Sequence, residues 1–546
     1  MAKRMAKRGN ETLQDIDQNG GLQQNSSSLS GSEGALCRSP TLSPPQHVNH
    51  DILMPPPSFQ GGGLPGSSMM ADHSGGFAFN SLDVGGGAFM KENMGGGAQD
   101  HQWVDPLYSL EKQLAADFKM DVSCGVVPED CLSSDMNWTN QSTTMSPLFS
   151  TNFLTETAMK GRWAPPLLTD CAKAVSADLK PRVQQYMWML NELSSPYGDY
   201  DQRLASYFLQ ALFCKITGTG PRCHRVLCAA AERSYSFDSM RKMILKFQEA
   251  SPWTTFGHVA SNGAILEALS GDMKVHIVDI SNTFCTQWPT LLESLATRPE
   301  GAPHLRLTTI ILSKEASAMK VMKEIGARMD RFARLMGVPF EFVVLQQPQL
   351  GTLEESDLNL KEDEALAINC NLSLHRVPEK TPGSSPFIKS LRDEIVSTLR
   401  NTNPKIVTVT EEEAGLLSTD FTACFTEALR FYAMFFESLE ESFPRASNER
   451  LMLERDAARN MVNLLAGEDL EDQHNCKRLE KSAQWGARFV NAGFAQTPLS
   501  DDVVDDVRAL LKRYKEGWGL DVQDTGLFLT WKDQHAICVS VWRPGR

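Results

Sequence analysis

The sequence predicts an α/β fold in which a doubly wound, mostly parallel, Rossmann-like sheet lies under an α-helical cap and follows a disordered tail. Three observations predict it. Composition breaks near residue 155, apolar stripes with a helical period run through residues 163–250, and short apolar strands alternate with amphipathic helices from about residue 260. A chain of 546 residues is also longer than one ordinary core uses, so more than one structural unit is expected.

The first 100 residues hold 17 of the 38 Gly, and GGG runs at 61–63, 85–87 and 95–97 separate Ser, Asn, Gln and Pro. Such a segment buries too little apolar surface to offset its ordering entropy, so residues 1–155 are expected to be disordered. They carry 8 basic and 16 acidic side chains, net -8, against net -6 for the other 391 residues. Within them, Asp105 can cap a helix, Pro106 suits its first turn, and Leu107, Leu110, Leu114 and Phe118 recur at helical spacing. That stripe reads either as a marginal helix that stays frayed or as a docking or activation segment that folds on a partner. Lys3, Arg4, Lys7 and Arg8 form at best a weak nuclear import signal.

The cap is expected at about residues 160–250. Leu167, Leu168, Cys171, Ala174 and Val175 fit one helical stripe, Val183, Met187, Leu190 and Leu193 a second, and Leu204, Tyr207, Phe208, Ala211 and Leu212 a third. Pro181, Pro196-Tyr197-Gly198 and Gly218-Thr219-Gly220 interrupt the pattern, which implies several packed helices rather than one long coil.

The core is expected over about 260–546. A helix with Ile265, Leu266 and Leu269 ends near Gly271, and Val275 to Ile280 then form an apolar run typical of a strand covered on both faces. A helix with Leu291, Leu292 and Leu295, a strand from Leu305 to Leu312, a helix ending at Gly337 and a strand over residues 340–345 follow as β-α-β-α-β. Further strands are expected at 365–372 and 405–410 with a helix at about 388–399 between them, then long helices at about 419–441 and 448–466. Close strand-like segments at 520–522, 527–531 and 537–542 predict an antiparallel edge.

Composition and motifs narrow the function. No apolar run reaches the roughly 20 residues of a membrane span, and no h-region follows the basic start, so a secreted or membrane protein is not expected. The 12 scattered Cys read as reduced thiols of the cytosol or nucleus. The acidic balance argues against a free-standing binder of the nucleic-acid backbone. A nucleotide or methyl donor would sit where the first strand turns into its helix, yet no glycine occurs between Gly271 and Gly301, and Phe284 and Trp288 supply bulk there. Cys223, His224 and Cys228 read as structural side chains, because a second pair of zinc ligands is missing. His276 is expected to be a satisfied core histidine, Asp279 to accept turn N–H groups, and Glu411-Glu412-Glu413 to form a solvated turn. Neither a phosphate loop nor a GxSxG elbow is present, so no catalytic, cofactor or metal residue is assigned.

Several motifs in order carry a resemblance. Val275-His276-Ile277-Val278-Asp279, followed by Gln287-Trp288-Pro289, resembles the VHIID signature of the plant GRAS family. Ser195-Pro196-Tyr197-Gly198-Asp199 and Gln202-Arg203-Leu204-Ala205 resemble its first leucine-rich region, and Pro404, Phe431-Tyr432 and Arg459 its PFYRE region. Trp485, Gly493, Trp518, Trp531 and Ser540-Val541-Trp542 resemble its terminal SAW region. The stretch from Ser251 to His258 and the glycine-free 283–288 segment are similar to the SHORT-ROOT branch of the family. Val278, Asn460 and Val541 depart from the family's Ile, Glu and Ala.

The resemblance covers about residues 160–546 and implies a GRAS-like domain at 156–546 with a methyltransferase-like core. It implies a transcriptional regulator of plant developmental patterning. Such a protein reaches DNA indirectly, through another GRAS protein of Scarecrow-like type and zinc-finger DNA-binding proteins, in the nucleus and also the cytoplasm. It further places Leu204, Phe208 and Leu212 in a region used for pairing, so these three are candidate partner-binding residues, although Tyr207 and Ala211 broaden the apolar face and favour a core position for Phe208. The competing readings are a divergent S-adenosylmethionine-dependent methyltransferase and a direct DNA binder with a basic surface stripe.

Overall fold

The computed structural model describes residues 162–234, 237–281, 284–312, 316–347, 349–379, 390–467 and 477–545. The basic start, the 107–118 stripe and the expected tail boundary lie outside these residues. Helices α1 (Ala164–Ser176), α2 (Lys180–Leu193), α3 (Tyr200–Ile216), α4 (Gly220–Ser234) and α5 (Phe237–Ala250) come first. Prolines occupy the opening turns of α1 and α2, where a missing N–H costs nothing. Asp199 caps α3, accepting from the Gln202 amide at 2.9 Å while the Gln202 side chain accepts from the Asp199 amide at 3.0 Å.

The sheet then builds as α6 (Thr255–Ala268), β1 (Lys274–Ser281), α7 (Trp288–Ala296), β2 (His304–Ile311), α8 (Ala316–Met336), β3 (Phe340–Gln346), β4 (Ala365–Asn371), α9 (Leu391–Asn401) and β5 (Ile406–Glu412). After α10 (Phe421–Ser442), α11 (Asn448–Ala466) and α12 (Ser482–Asn491) come β6 (Phe494–Thr497), α13 (Asp501–Leu511), β7 (Trp518–Gln523), β8 (Gly526–Trp531) and β9 (Gln534–Pro544). The strand order is β3-β2-β1-β4-β5-β9-β8-β7, parallel through β5 and antiparallel beyond it. Strand β9 pairs with β5 along one edge, while β8 and β6 divide its other edge. This is the mixed α/β architecture, with a mostly parallel sheet, that the alternation of strands and helices predicts.

Two faces of the sheet are covered by different helices. On one, Val275, Ile277, Leu305, Leu307, Ala367 and Ile406 pack with α6, α7 and α8; on the other, Val278, Ile280, Ile368 and Val407 meet α9 and α12. Side chains alternate along a strand, so both faces of β1 are apolar, as a doubly covered strand requires.

The helical cap is wider than the 160–250 region expected from sequence. Helices α10 and α11 pack against α1, α3 and α4, so two separate chain segments build one layer. The cause is visible on α10, whose Phe425, Phe431, Tyr432 and Phe436 need cover on more than one side. Phe208 of α3 meets Phe425 with ring centroids 5.3 Å apart, Tyr207 meets Phe436 at 5.5 Å, and Trp253 meets Phe431 at 6.0 Å. Leu204, Phe208 and Leu212 are each 0% exposed in this layer. They are core side chains, which corrects their candidate role as partner-binding residues.

Candidate functional site

The face of the sheet beneath α6 changes character toward the C-terminal ends of its strands. It begins with Val275, Ile277, Ala367 and Ile406 and ends with Asp279, Asn369, Asn371, Thr408 and Thr410, all buried. By the two-residue period of strands these polar residues share one side. In an open α/β sheet, that end between the strands flanking the first crossover is where ligands bind.

Here the chain's own side chains occupy it. Asn369 Nδ2 donates to Asp279 Oδ1 at 2.9 Å, and Trp288 Nε1 and Ser281 Oγ donate to Asp279 Oδ2 at 2.9 and 3.0 Å. Gln287 Nε2 donates to Asn262 Oδ1 at 3.0 Å, Asn369 Nδ2 also reaches Gln287 Oε1 at 3.2 Å, and Thr408 Oγ1 donates to Asn369 Oδ1 at 3.0 Å. Asn262 Nδ2 closes the set on the Gln287 carbonyl and Thr290 Oγ1, both at 3.1 Å. Burial is the main influence on Asp279 and pushes its carboxyl up to about 6, against the pull of its three donors. Among the described residues those donors are side chains, not the turn amides expected from sequence.

A methyl donor or dinucleotide would meet side chains here rather than open backbone. Gln287 and Trp288 are buried at the entrance to α7, and Phe284 and Cys285 carry positive φ of 51° and 58° where such sites use glycine. Among the described residues Thr410 Oγ1 has no hydrogen-bond partner, but α6 leaves no room above it: a Cβ on Gly257 would lie 2.6 Å from Thr410 Cγ2. These residues do not fit such a cofactor.

The rest of the 275–289 motif is structural. Val275, Ile277 and Val278 are fully buried in the two cores, and Pro289 stands in the first turn of α7. Arg306 donates to His276 Nδ1 at 3.0 Å, which leaves the proton on Nε2 to donate to Thr308 Oγ1 at 2.9 Å. Burial, reinforced by the Arg306 charge, lowers the His276 imidazole to about 4. Arg306 in turn pairs with Glu364, its Nε 2.9 Å from Oε2.

The Glu411-Glu412-Glu413 run is buried rather than solvated, because β5 lies inside the sheet and ends beneath the cap. Glu411 accepts from the Leu374 and Ser373 amides at 2.7 and 3.1 Å, with His375 Nδ1 2.6 Å from its other oxygen. Burial alone would raise the Glu411 carboxyl, but His375 and the two amides hold it below the ordinary range. Glu412 accepts from Trp253 Nε1 at 3.1 Å and pairs with Lys477, while Glu413 accepts from the Ser482 amide at 2.8 Å. No feature of the linear sequence names these partners.

Trp485, Trp518, Trp531, Trp542 and Arg459 are likewise packed within the body. Trp531 Nε1 donates to Glu437 at 3.1 Å, Trp518 lies against Trp531 with centroids 4.8 Å apart, and Trp542 stacks on Phe489 at 5.0 Å. The guanidinium of Arg392 lies 5.4 Å from the Trp485 ring centroid, and Arg459 pairs with Asp456. Cys228 Sγ is 3.5 Å from His224 Nε2, and among the described residues no three His, Cys, Asp or Glu are grouped to hold a metal. No helix among the described residues is long and apolar enough to cross a membrane.

This chain matches the GRAS domain family model over residues 165–543, which spans both the filled sheet and its cap. It belongs to the GRAS family. It is 52% identical over 403 residues to Protein SHORT-ROOT of Arabidopsis thaliana, covering 70% of this chain and 73% of that protein. It is 48% identical to Protein SHORT-ROOT 1 of Oryza sativa subsp. japonica, over 70% and 69% of the two chains. Scarecrow-like transcription factor PAT1 of Arabidopsis thaliana is 30% identical over 69% of this chain and 75% of its own length. The crystal structure of SCL7 in Oryza sativa superposes with a TM-score of 0.58 at 29% identity, covering 69% of this chain and 99% of that one. In this GRAS protein the VHIID-like residues therefore build the strand and the filled junction, and the SAW-like tryptophans fasten the antiparallel strands to the helices around them.

Proposed function

We propose that this GRAS protein is a SHORT-ROOT-like transcriptional regulator of plant development, and that it works by contact with other proteins rather than by catalysis. The observation that carries this reading is the junction after β1, where Asp279, Gln287, Trp288 and Asn369 satisfy one another in the place a methyl donor would need. A fold whose ligand end is filled retains its surfaces as the means of action. Its partners are another GRAS protein of Scarecrow-like type and zinc-finger DNA-binding proteins, through which it reaches DNA in the nucleus; a cytoplasmic pool accompanies the nuclear one. The acidic balance of the whole chain, net -14, supports this indirect route.

The test is affinity purification of the full chain from plant nuclei, with co-purifying proteins identified and direct association then measured. Recovery of a second GRAS protein and a zinc-finger protein, each binding the purified chain, is the expected result. Calorimetric titration with S-adenosylmethionine separates the enzyme reading: one-to-one binding would overturn the proposal.

A further inference from the structure

Helix α8 covers the outer strands β2 and β3, and its two sides differ sharply. Met322, Met329 and Ala333 face the core. On the other side Lys320, Lys323, Arg328, Arg331 and Arg334 are exposed, occupying with Leu335 and one carboxylate, Glu324, an arc of about 140° at the helical angle per residue, so that cations outnumber the carboxylate five to one. Among the described residues Lys320, Lys323, Arg328 and Arg331 have no ion-pair partner, and Arg334 pairs with Asp330 of the same helix. Leu335 stands within this cationic arc and is 82% exposed. A face of this kind fits an acidic segment that also brings an apolar side chain.

The chain contains such a segment outside the described residues. In residues 105–121, Leu107, Leu110, Leu114 and Phe118 recur at helical spacing, Glu111, Asp117 and Asp121 fall beside that stripe, and Lys112 and Lys119 fall on the opposite side. We propose that the cationic face of α8 is the docking site of the chain's own acidic segment 105–121, with Leu335 against its apolar stripe. Reach allows it. The 40 residues from 122 to 161 span up to about 130 Å when extended, whereas a folded body of this size is only about 55 Å across. A phosphate backbone is the poorer occupant, since an exposed leucine within the arc gives it nothing and the body's overall charge is negative.

The experiment uses the full chain, mixed in equal parts with a nitrogen-15-labelled copy, and a zero-length carbodiimide cross-linker read by mass spectrometry. The expected links join Glu111, Asp117 or Asp121 to Lys320 or Lys323 within chains of one isotope, and they weaken as salt is raised. Leu335→Asp should lower their yield by at least about fivefold, the equivalent of about 1 kcal/mol, without moving the melting temperature. A second variant, Leu110→Asp with Leu114→Asp, keeps every cross-linking group and leaves the body untouched; it should lower the same yield. Absence of the links, links only between differently labelled chains, or yields indifferent to both variants would overturn the proposal. So would protection of Lys320 and Lys323 from acetylation by duplex DNA with no such links formed.

Discussion

The indole Nε1 of Trp288 donates to Asp279 Oδ2 over 2.9 Å, fastening the first residue of α7 to the end of β1. Because burial raises the Asp279 carboxyl to about 6, the folded chain holds a proton there more tightly than the unfolded one. The stability tied to this group is complete below its unfolded value of about 3.9 and is lost as the pH rises through about 6. Asp279→Asn should therefore flatten the fall in stability between pH 4 and 7 by about 2–3 kcal/mol, read from urea unfolding at each pH. An identical pH profile in the two proteins would refute the assignment.

Phe208→Ala should cost about 3–5 kcal/mol, since the ring is fully buried against Phe425 and Tyr432. The melting temperature should fall accordingly. Lost partner binding with an unchanged melt would contradict the core placement.

Arg203 of α3 pairs with Glu440 and, at 3.2 Å, with Glu454, both of which Arg450 also contacts. Burial raises the Glu454 carboxyl, so its ionised form depends on these two guanidiniums. Arg203→Met removes one of them and should cost about 3–5 kcal/mol in chemical denaturation. A loss below about 1 kcal/mol, typical of a solvated pair, would show that the network is not closed to water.

Gly257→Ala should cost about 1–3 kcal/mol, because the new methyl meets Thr410 Cγ2 at 2.6 Å. Thr410→Ala removes that methyl, so the double variant should recover part of the loss. A double-mutant cycle with no coupling would rule out the close approach.

The strands β1 to β5 were legible because each is a short apolar run between turn signals, and their alternation with helices fixed the fold class. Strand β6 was not, since Phe494–Thr497 is four residues long and shows little pattern. The acidic run at 411–413 misled for a different reason. Its partners Trp253, Ser373 and Ser482 lie far away in the chain, and only tertiary structure brings them to the end of β5. The same holds for Asp279, whose donor Asn369 comes from the neighbouring parallel strand. For Leu204, Phe208 and Leu212, periodicity revealed an apolar face but not that α10 and α11 complete the layer around it.

Strand β9 is translated after every other described element, yet it holds β5, β6 and β8 together. The parallel half of the sheet can form on the ribosome as it emerges, at about 5–20 residues per second, but the antiparallel half has no strand to join it until residues 534–544 appear. The buried carboxylates of β5 wait for the same event, with Glu411 and Glu412 opposite Cys538 and Ile537. A message truncated anywhere before the codon for Gln534 would thus yield a nascent body with an open sheet edge through its middle, a substrate for chaperones and proteases rather than a shortened regulator.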